Sequence, residues 1–328
     1  MVKFGLSEMR NTKRKVLIIG GGGFIGSWLA KELANKEYDV SIIDPFVCHS
    51  KLDGKIKKSA FKFRREELLK NVSVIEDRYE DIGKKILDEF QPEIVVHLAA
   101  TAFEEKKDIY ISKKQILYDI PLTFQIALDV AQNKKVKKFI YMSSIFAYGN
   151  ITKKSISEDT PLNPITPYGI SKATGEFIVK SLLDEKDWTI IRTTSVYGFG
   201  DANLRATQIF VNEAVKGEPL WVNKDSWLDF IYIKDLVGGI VKVIGANTRH
   251  EVFHLSGGHA APLARFVEKL KKHFPDLNYE VREGVNDRPR RGTMENTKAR
   301  ILLGWEPQFS LEEGIIDYLK YAKKANHG

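Results

Sequence analysis

"KVLIIGGGGFIGSWLAKELANK", residues 15–36, decides the fold. The run KVLII is short, apolar and rich in β-branched residues, the pattern of a strand buried on both faces in a parallel sheet. Four glycines follow, and FIGSWLAKELANK then takes up helical spacing. Gly20, Gly23 and Gly26 stand at GxxGxxG intervals. In such a turn one glycine permits the tight bend, one lets backbone approach a pyrophosphate, and one lets the helix pack on the strand. The helix start directs free N–H groups and the positive end of its dipole at the anion. Phe24 and Ile25 lie inside the same turn and are counted with the glycines as cofactor contacts.

Working outward, DVSII (39–43) reads as a second strand and ends at Asp44, 18 residues beyond Gly26. A carboxylate there accepts from both ribose hydroxyls and repels a 2′-phosphate, which favours NAD over NADP. Residues 45–70 read as a loop plus a helix. Further strands are expected at VSVIED (72–77), EIVVHLAA (93–100), KKFIYMSS (137–144) and WTIIRTTS (188–195), with helices over about 111–133 and from Tyr168. Alternating strands and helices imply an α/β doubly wound parallel sheet. Asp77 and Arg78 follow the third strand; Asp77 either contacts the adenine amino group or sits in a loop salt bridge. After about residue 196 the alternation breaks down, which suggests a smaller lobe over the carboxyl ends of the strands. DFIYIKDLVGGIVKVI (229–244) reads as a strand and helix returning to the main sheet.

Composition narrows the class. The 328 residues are 43% hydrophobic and 29% charged, enough for a sizeable core in one large domain or two intimate ones. The net charge of +8 comes from scattered lysines, the pattern of a solvated surface, and no nucleic-acid-binding signature accompanies it. The lone cysteine, Cys48, excludes an intramolecular disulfide, and the seven histidines show no metal spacing. No run has the length of a membrane span, and the first residues lack the apolar core of a signal peptide. The expectation is a cytoplasmic protein without metal, nucleic-acid or membrane partners.

ITPYGISKATGE (165–176) places Tyr168 and Lys172 four residues apart, on one helical face. Thr166 suits an N-cap and Pro167 a first helical position. Alone, the pair reads as surface decoration. Together with the glycine turn and Asp44, however, HLAA (97–100), SSIFAYG (143–149), PYGISK (167–172), RTTSVYG (192–198) and LGWEPQFSLEEG (303–314) occur in order. This set resembles the extended short-chain dehydrogenase/reductase family, in its nucleotide-sugar epimerase/dehydratase group, over nearly the whole chain from residue 15.

The resemblance implies a Rossmann-type sheet over 15–195, with about 229–255 returning to it. It implies a mainly substrate-binding α/β lobe over 196–328, and leaves 1–14 as a tail. It implies NAD held by Gly20, Gly23, Phe24, Ile25, Gly26, Asp44, Asp77, Arg78, Leu98, Ala99, Ala100, Ser143, Tyr168 and Lys172. It makes Tyr168 the general base, Lys172 the cation that lowers its pKa, and Ser144 the hydroxyl that shares the substrate proton. Relatives dimerise through the helices near 111–133 and 168–187, so a homodimer is expected.

The reaction is narrowed by two residues. Dehydratases that resemble this chain carry an Asp-Glu pair where it has Ile145 and Phe146, neither of which can carry a proton. A nucleotide-sugar epimerase, most simply a 4-epimerase working through a 4-keto sugar, is the favoured reading. A 4,6-dehydratase or 4-keto reductase is the alternative, and a non-catalytic NAD(H)-sensing or RNA-binding relative the distant one. For the substrate, the family pattern puts Arg288 on the diphosphate, with Arg290 and Arg291 beside it as either ligands or solvated charges. Leu228 replaces a second arginine. Ser144, Ser195 and Asn203 complete the expected substrate contacts. Trp221 is weighed between bordering the base and core packing. Asp119 stands where relatives often have an Asn that supports the active-site helix.

Overall fold

The computed structural model describes residues 13–47, 54–102, 109–203, 205–283 and 291–326. Seven parallel strands form the main sheet: β1 (Lys15–Ile19), β2 (Asp39–Ile43), β3 (Ser73–Ile75), β4 (Ile94–His97), β5 (Lys138–Ser144), β7 (Asp187–Thr193) and β11 (Glu251–Leu255). The short β6 (Ser155–Ile156) lies outside it and pairs with β14 (Thr293–Met294). The order across the sheet is β11-β7-β5-β4-β1-β2-β3. The chain therefore reverses direction between β1 and β4, the switch point where open α/β sheets leave a crevice for ligand.

Side chains alternate across the strands and supply two cores. Val16, Ile18, Ile42, Val96, Ile140 and Ile191 face one side, with Trp28 and Leu29 of α1 (Phe24–Asn35). Leu17, Ile19, Ile43, Val95, Phe139 and Ile190 face the other. That second face is covered by α3 (Tyr79–Phe90), α5 (Asp119–Gln132) and α6 (Pro167–Leu182). Burial on both faces explains why these strands read as unbroken apolar runs. Between β2 and β3, α2 (Gly54–Phe63) runs into a π-helical turn at Arg64–Leu68.

Two expectations need correction. The helix expected over 111–133 is two helices, α4 (Ile109–Leu117) and α5, broken at Tyr118. Pro121, in the first turn of α5, lacks an N–H and its ring would clash with the Leu117 carbonyl of a continuous helix. The strand expected to return to the main sheet at 229 does not do so. It is β10 (Trp227–Tyr232), and it joins a separate sheet between β8 (Ser195–Tyr197) and β12 (Ala260–Pro262). The place beside β7 is taken by β11, paired from Glu251–Thr189 to Leu255–Thr193. The helix between them, α8 (Ile233–Gly245), does return, its Leu236, Ile240 and Val243 packing into the α1 face.

The rest of the C-terminal region is α7 (Ala206–Lys216), β9 (Leu220–Asn223), α9 (Leu263–Lys271), β13 (Tyr279–Arg282), α10 (Thr297–Leu303) and α11 (Leu311–Asn326). Among the described residues no helix is long and apolar enough to cross a membrane.

Candidate active site

At the switch point, the Leu98 and Ala99 amides both donate to the Ile19 carbonyl, at 2.8 and 3.0 Å. This draws the turn after β4 tightly against the turn after β1. Gly20 has φ +83°, and a Cβ on it would lie 2.5 Å from the Ala99 nitrogen, so only glycine fits. A Cβ on Gly26 would meet the Gly20 carbonyl at 2.5 Å, so α1 rests directly on the loop. Gly23 is the N-cap of α1 and no side chain caps it. The first N–H groups of α1 are thus left for an anion.

A cavity of about 470 Å³ opens from this turn, lined by Gly20, Gly22, Gly23, Phe24, Asp44, Asp77, Arg78, Leu98, Ala99 and Ala100, among others. Asp44 accepts from the Phe46 amide at 2.7 Å and the Gly22 amide at 3.1 Å. Burial raises its pKa; those amides and the Arg64 guanidinium oppose the rise. Arg64, which also lines this cavity, was not foreseen in the sequence. Asp77 accepts from the backbone amide of Arg78, whereas the Arg78 guanidinium pairs with Glu80 at 3.5 Å. The two side chains therefore do not form a salt bridge with each other.

A second cavity of about 230 Å³ continues from the same glycines toward α6. Gly20, Gly23, Phe24, Leu98, Ala100 and Asn203 line both, so the two are halves of one cleft. Ile25, Gly26, Ser143, Ser144, Tyr168, Lys172 and Ser195 line the second half. Thr166 caps α6 by accepting from the Gly169 amide at 3.1 Å, with Pro167 in the first turn. Tyr168 is held edge-on against Phe146 at 5.5 Å between ring centroids. Its phenol shares the cleft with the Ser144 hydroxyl, which favours the phenolate. Lys172 is buried, donates to the Met142 carbonyl at 2.9 Å, and lies 5.8 Å from the Tyr168 ring centroid.

The electrostatics differ in one respect from the sequence expectation. Burial raises the Tyr168 pKa, and the strongest charge opposing it is the Arg205 guanidinium, followed by the Ser144 hydroxyl; Arg291 adds to these. Lys172 is itself pushed down to about 8 by burial. Arg205, at the N-cap of α7, is bound to Asp201 at 2.7 Å and faces the cleft. No motif marked it, because its approach to Tyr168 depends on how the small lobe folds over.

Ser143 lines the cleft, but its hydroxyl is given to Glu176 at 2.6 Å. Glu176 also binds Arg192 through both carboxylate oxygens, at 2.9 and 2.7 Å, locking α6 to β7. Arg291 points into the cleft, donates to the Ser195 hydroxyl at 2.8 Å and stacks over Phe146 at 4.4 Å. It is therefore a lining group and not a solvated charge. Arg288 and Arg290 lie outside the described residues. Asn203 is tied to Asp201 at 2.8 Å. Trp221 lies neither in the core nor in the cleft: on β9, Leu220 and Val222 face inward, and Trp221 is 54% exposed.

The glycine turn, the uncapped helix start and the Asp44 carboxylate fit a dinucleotide. A model of the NAD dependent epimerase/dehydratase family matches residues 16–255. The chain belongs to that family. It is 29% identical to UDP-glucose 4-epimerase of Lactobacillus helveticus, over 92% of this chain and 94% of that one. It is 24% identical to dTDP-glucose 4,6-dehydratase of Haemophilus influenzae, over 93% and 97%. Among solved structures it resembles UDP-glucuronic acid 4-epimerase from Bacillus cereus, solved with UDP-glucuronic acid and NAD. That match has TM-score 0.83 and 25% identity, covering 94% of this chain and 99% of the other. This member of the family is an enzyme with NAD as its cofactor and a Rossmann-like parallel sheet.

Proposed function

We propose that the chain is an NAD-dependent nucleotide-sugar epimerase acting at C-4 through a transient 4-keto sugar. One observation carries this reading. Among the described residues, the lining of the catalytic half of the cleft holds no Asp, Glu, His or Cys. Elimination of water across C-5 and C-6 requires a base for the C-5 proton and an acid for the departing hydroxyl. Ile145 and Phe146 are buried apolar side chains and supply neither. Tyr168, Lys172 and the Ser144 hydroxyl suffice for a reaction that only removes and returns a proton at one hydroxyl.

Gly20, Gly23, Gly26 and the α1 N-terminus hold the pyrophosphate of NAD, and Asp44 holds a ribose. When bound, NAD supplies the hydride acceptor and donor. Tyr168 takes the proton from the C-4 hydroxyl as phenolate and gives it back to the same oxygen when the keto sugar is reduced on its other face. Ser144 shares that proton, and Arg205 and Arg291 favour the phenolate in a cleft whose burial opposes it. The same two guanidiniums, with Ser195 and Asn203, offer positive and polar groups to the diphosphate. The sugar nucleotide is assigned to the lobe formed by most of residues 196–328, and the 4-epimerases among the relatives support UDP-sugars as the first class to try.

The same reading includes a homodimer. Phe124 and Leu128 of α5 and Ile170 and Phe177 of α6 are 48, 37, 41 and 60% exposed on two adjacent helices. An apolar patch shared by paired helices suits a four-helix bundle with a second copy.

The test is product analysis. The protein is incubated with UDP-glucose, UDP-glucuronic acid and dTDP-glucose, and products are followed by mass spectrometry and NMR. An isomer of unchanged mass is expected. A product lighter by one water makes it a dehydratase, and stoichiometric consumption of NADH with a keto sugar makes it a reductase.

A further inference from the structure

Ser143 lines the cleft, and its hydroxyl leads into a chain of buried groups that the proton-transfer reading does not use. Glu176 accepts from Ser143 and is held through both carboxylate oxygens by Arg192 on β7. Nη1 of Arg192 also donates to the Tyr148 oxygen at 2.6 Å and to the Glu158 carbonyl at 2.8 Å. Tyr148 in turn lies 2.6 Å from Nε2 of His254 on β11. On the other side of that ring, Nδ1 is 3.2 Å from the Glu295 carbonyl. Glu176, Arg192, Tyr148 and His254 are all buried.

The partners fix each proton. A carbonyl only accepts, so Nδ1 of His254 carries the hydrogen and Nε2 keeps its lone pair. A guanidinium only donates, so the Tyr148 oxygen accepts from Arg192 and turns its own O–H to Nε2. The Ser157 carbonyl, at 3.3 Å, is the longer alternative for that O–H. The chain therefore runs one way, from Arg192 to Tyr148 to His254 to Glu295. Burial and the Arg192 cation, with Lys298 adding, push His254 down to about 3 against the pull of the Glu295 carbonyl. The Glu158 carboxylate accepts from the His254 backbone amide at 2.9 Å.

Both ends of the chain lead to the catalytic half. Tyr148 closes a short 3-10 turn, Ile145–Tyr148, which Ser144 caps by accepting from the Phe146 amide at 3.3 Å. That turn carries Phe146, the ring set against Tyr168. Glu295 directly follows β14, and the other end of β14 leads back to Arg291, which stacks on the same Phe146 ring. Backbone pairing ties β14 to β6, and Asp229 on β10 accepts from the Met294 amide at 3.1 Å. The His254 ring ties the segment to the turn itself.

We propose that His254 is a positioning residue: as the Nδ1–H tautomer it joins the turn that presents Ser144 and Phe146 to the segment that presents Arg291. It thereby sets where the Arg291 guanidinium stands relative to the proton-transfer site. This rests on the roles given above to Ser144, Tyr168 and Arg291.

His254→Asn keeps a donor near the place of Nδ1 and cannot reach Tyr148. Tyr148→Phe keeps the ring, removes the O–H, and serves if His254→Asn fails to fold. In protein with 15N-labelled histidines, the His254 ring signals are identified by their loss in His254→Asn or by the shift of one Nε2 in Tyr148→Phe. Hydrogen on Nδ1 is expected, with no titration between about pH 5 and pH 8, where a free imidazole changes charge. Hydrogen on Nε2, or a titration in that range, would overturn the proposal. In a crystal structure of the variant the Arg291 guanidinium should have left the Phe146 ring; finding it still stacked there contradicts the proposal. With the nucleotide sugar that is turned over, Arg291→Leu should raise KM about tenfold, the loss of a charge-assisted hydrogen bond. His254→Asn should raise KM about threefold with NAD content unchanged, and add nothing on top of Arg291→Leu, because it acts through that residue. Effects that multiply in the double variant count against it. If no nucleotide sugar is turned over, the functional reading falls, while the NMR and the crystal structure still decide this one.

Discussion

On one side of Gly23 the cleft is organised around backbone groups of one glycine turn; on the other it is organised around side chains from several elements. The cofactor half is built around glycines, an uncapped helix start and two amides that hold Asp44, with side chains such as Arg64, Asp77 and Arg78 along its wall. The catalytic half consists of Ser144, Tyr168, Lys172, Arg205 and Arg291, drawn from β5, α6, the start of α7 and the segment before β14. The first recognises an anion by shape and fixed dipoles, which a contiguous stretch of chain can encode. The second depends on charges meeting across the fold, so it is where members of one family can diverge in what they do to a sugar.

The largest expected effect separates the two halves completely. Tyr168→Phe removes one hydroxyl and should lower kcat by about 10³-fold, within the range for loss of a general base. NAD content, read from the absorbance of the purified protein, should be unchanged. Turnover near the wild-type rate would show that another group takes the proton. The mirror variant is Gly20→Ala. Its Cβ would lie 2.5 Å from the Ala99 nitrogen in a left-handed conformation, so about 1–3 kcal/mol of stability should be lost along with bound NAD. Thermal melting and cofactor content measure both. Retention of NAD at the wild-type melting temperature would remove the glycine turn from the account.

Arg205→Leu tests the charges of the catalytic half. Without that cation the Tyr168 pKa rises further, so the acid limb of the rate profile should move to higher pH. Because Arg205 is 41% exposed and paired with Asp201, a shift of about half a unit is expected. KM for the nucleotide sugar should rise while NAD binding stays as it was. The smallest effect is expected at Trp221→Ala. That ring stands outside both halves of the cleft, so kcat/KM should change by less than about twofold, the outcome for a surface position away from the site.

The same contrast explains what could be read from the sequence. The strand KVLII, the glycine spacing and Asp44 are local and fix the β1–α1–β2 unit before any tertiary contact is known. Thr166, Pro167, Tyr168 and Lys172 are likewise local, since one helix start sets their faces. Arg205 and Arg291 were not legible as partners of Tyr168, because only the small lobe's packing brings them there. Trp221 misled because an aromatic on a strand is commonly buried, and here the pleat turns it outward. The break at Tyr118 did have a signal, Pro121, whose meaning depended on its place in the first turn of a new helix. The destination of β10 had none, because which strand completes the sheet edge is a competition with β11 that neither segment reveals alone.

The central claim is that one carbon loses and regains its hydrogen. The most direct measurement uses the nucleotide sugar that is turned over, carrying deuterium at C-4, with the product examined by NMR and mass spectrometry. The account predicts a C-4 epimer of unchanged mass with the deuterium still on C-4. A product that has lost one water, or an epimer whose C-4 label has exchanged with solvent, would contradict it.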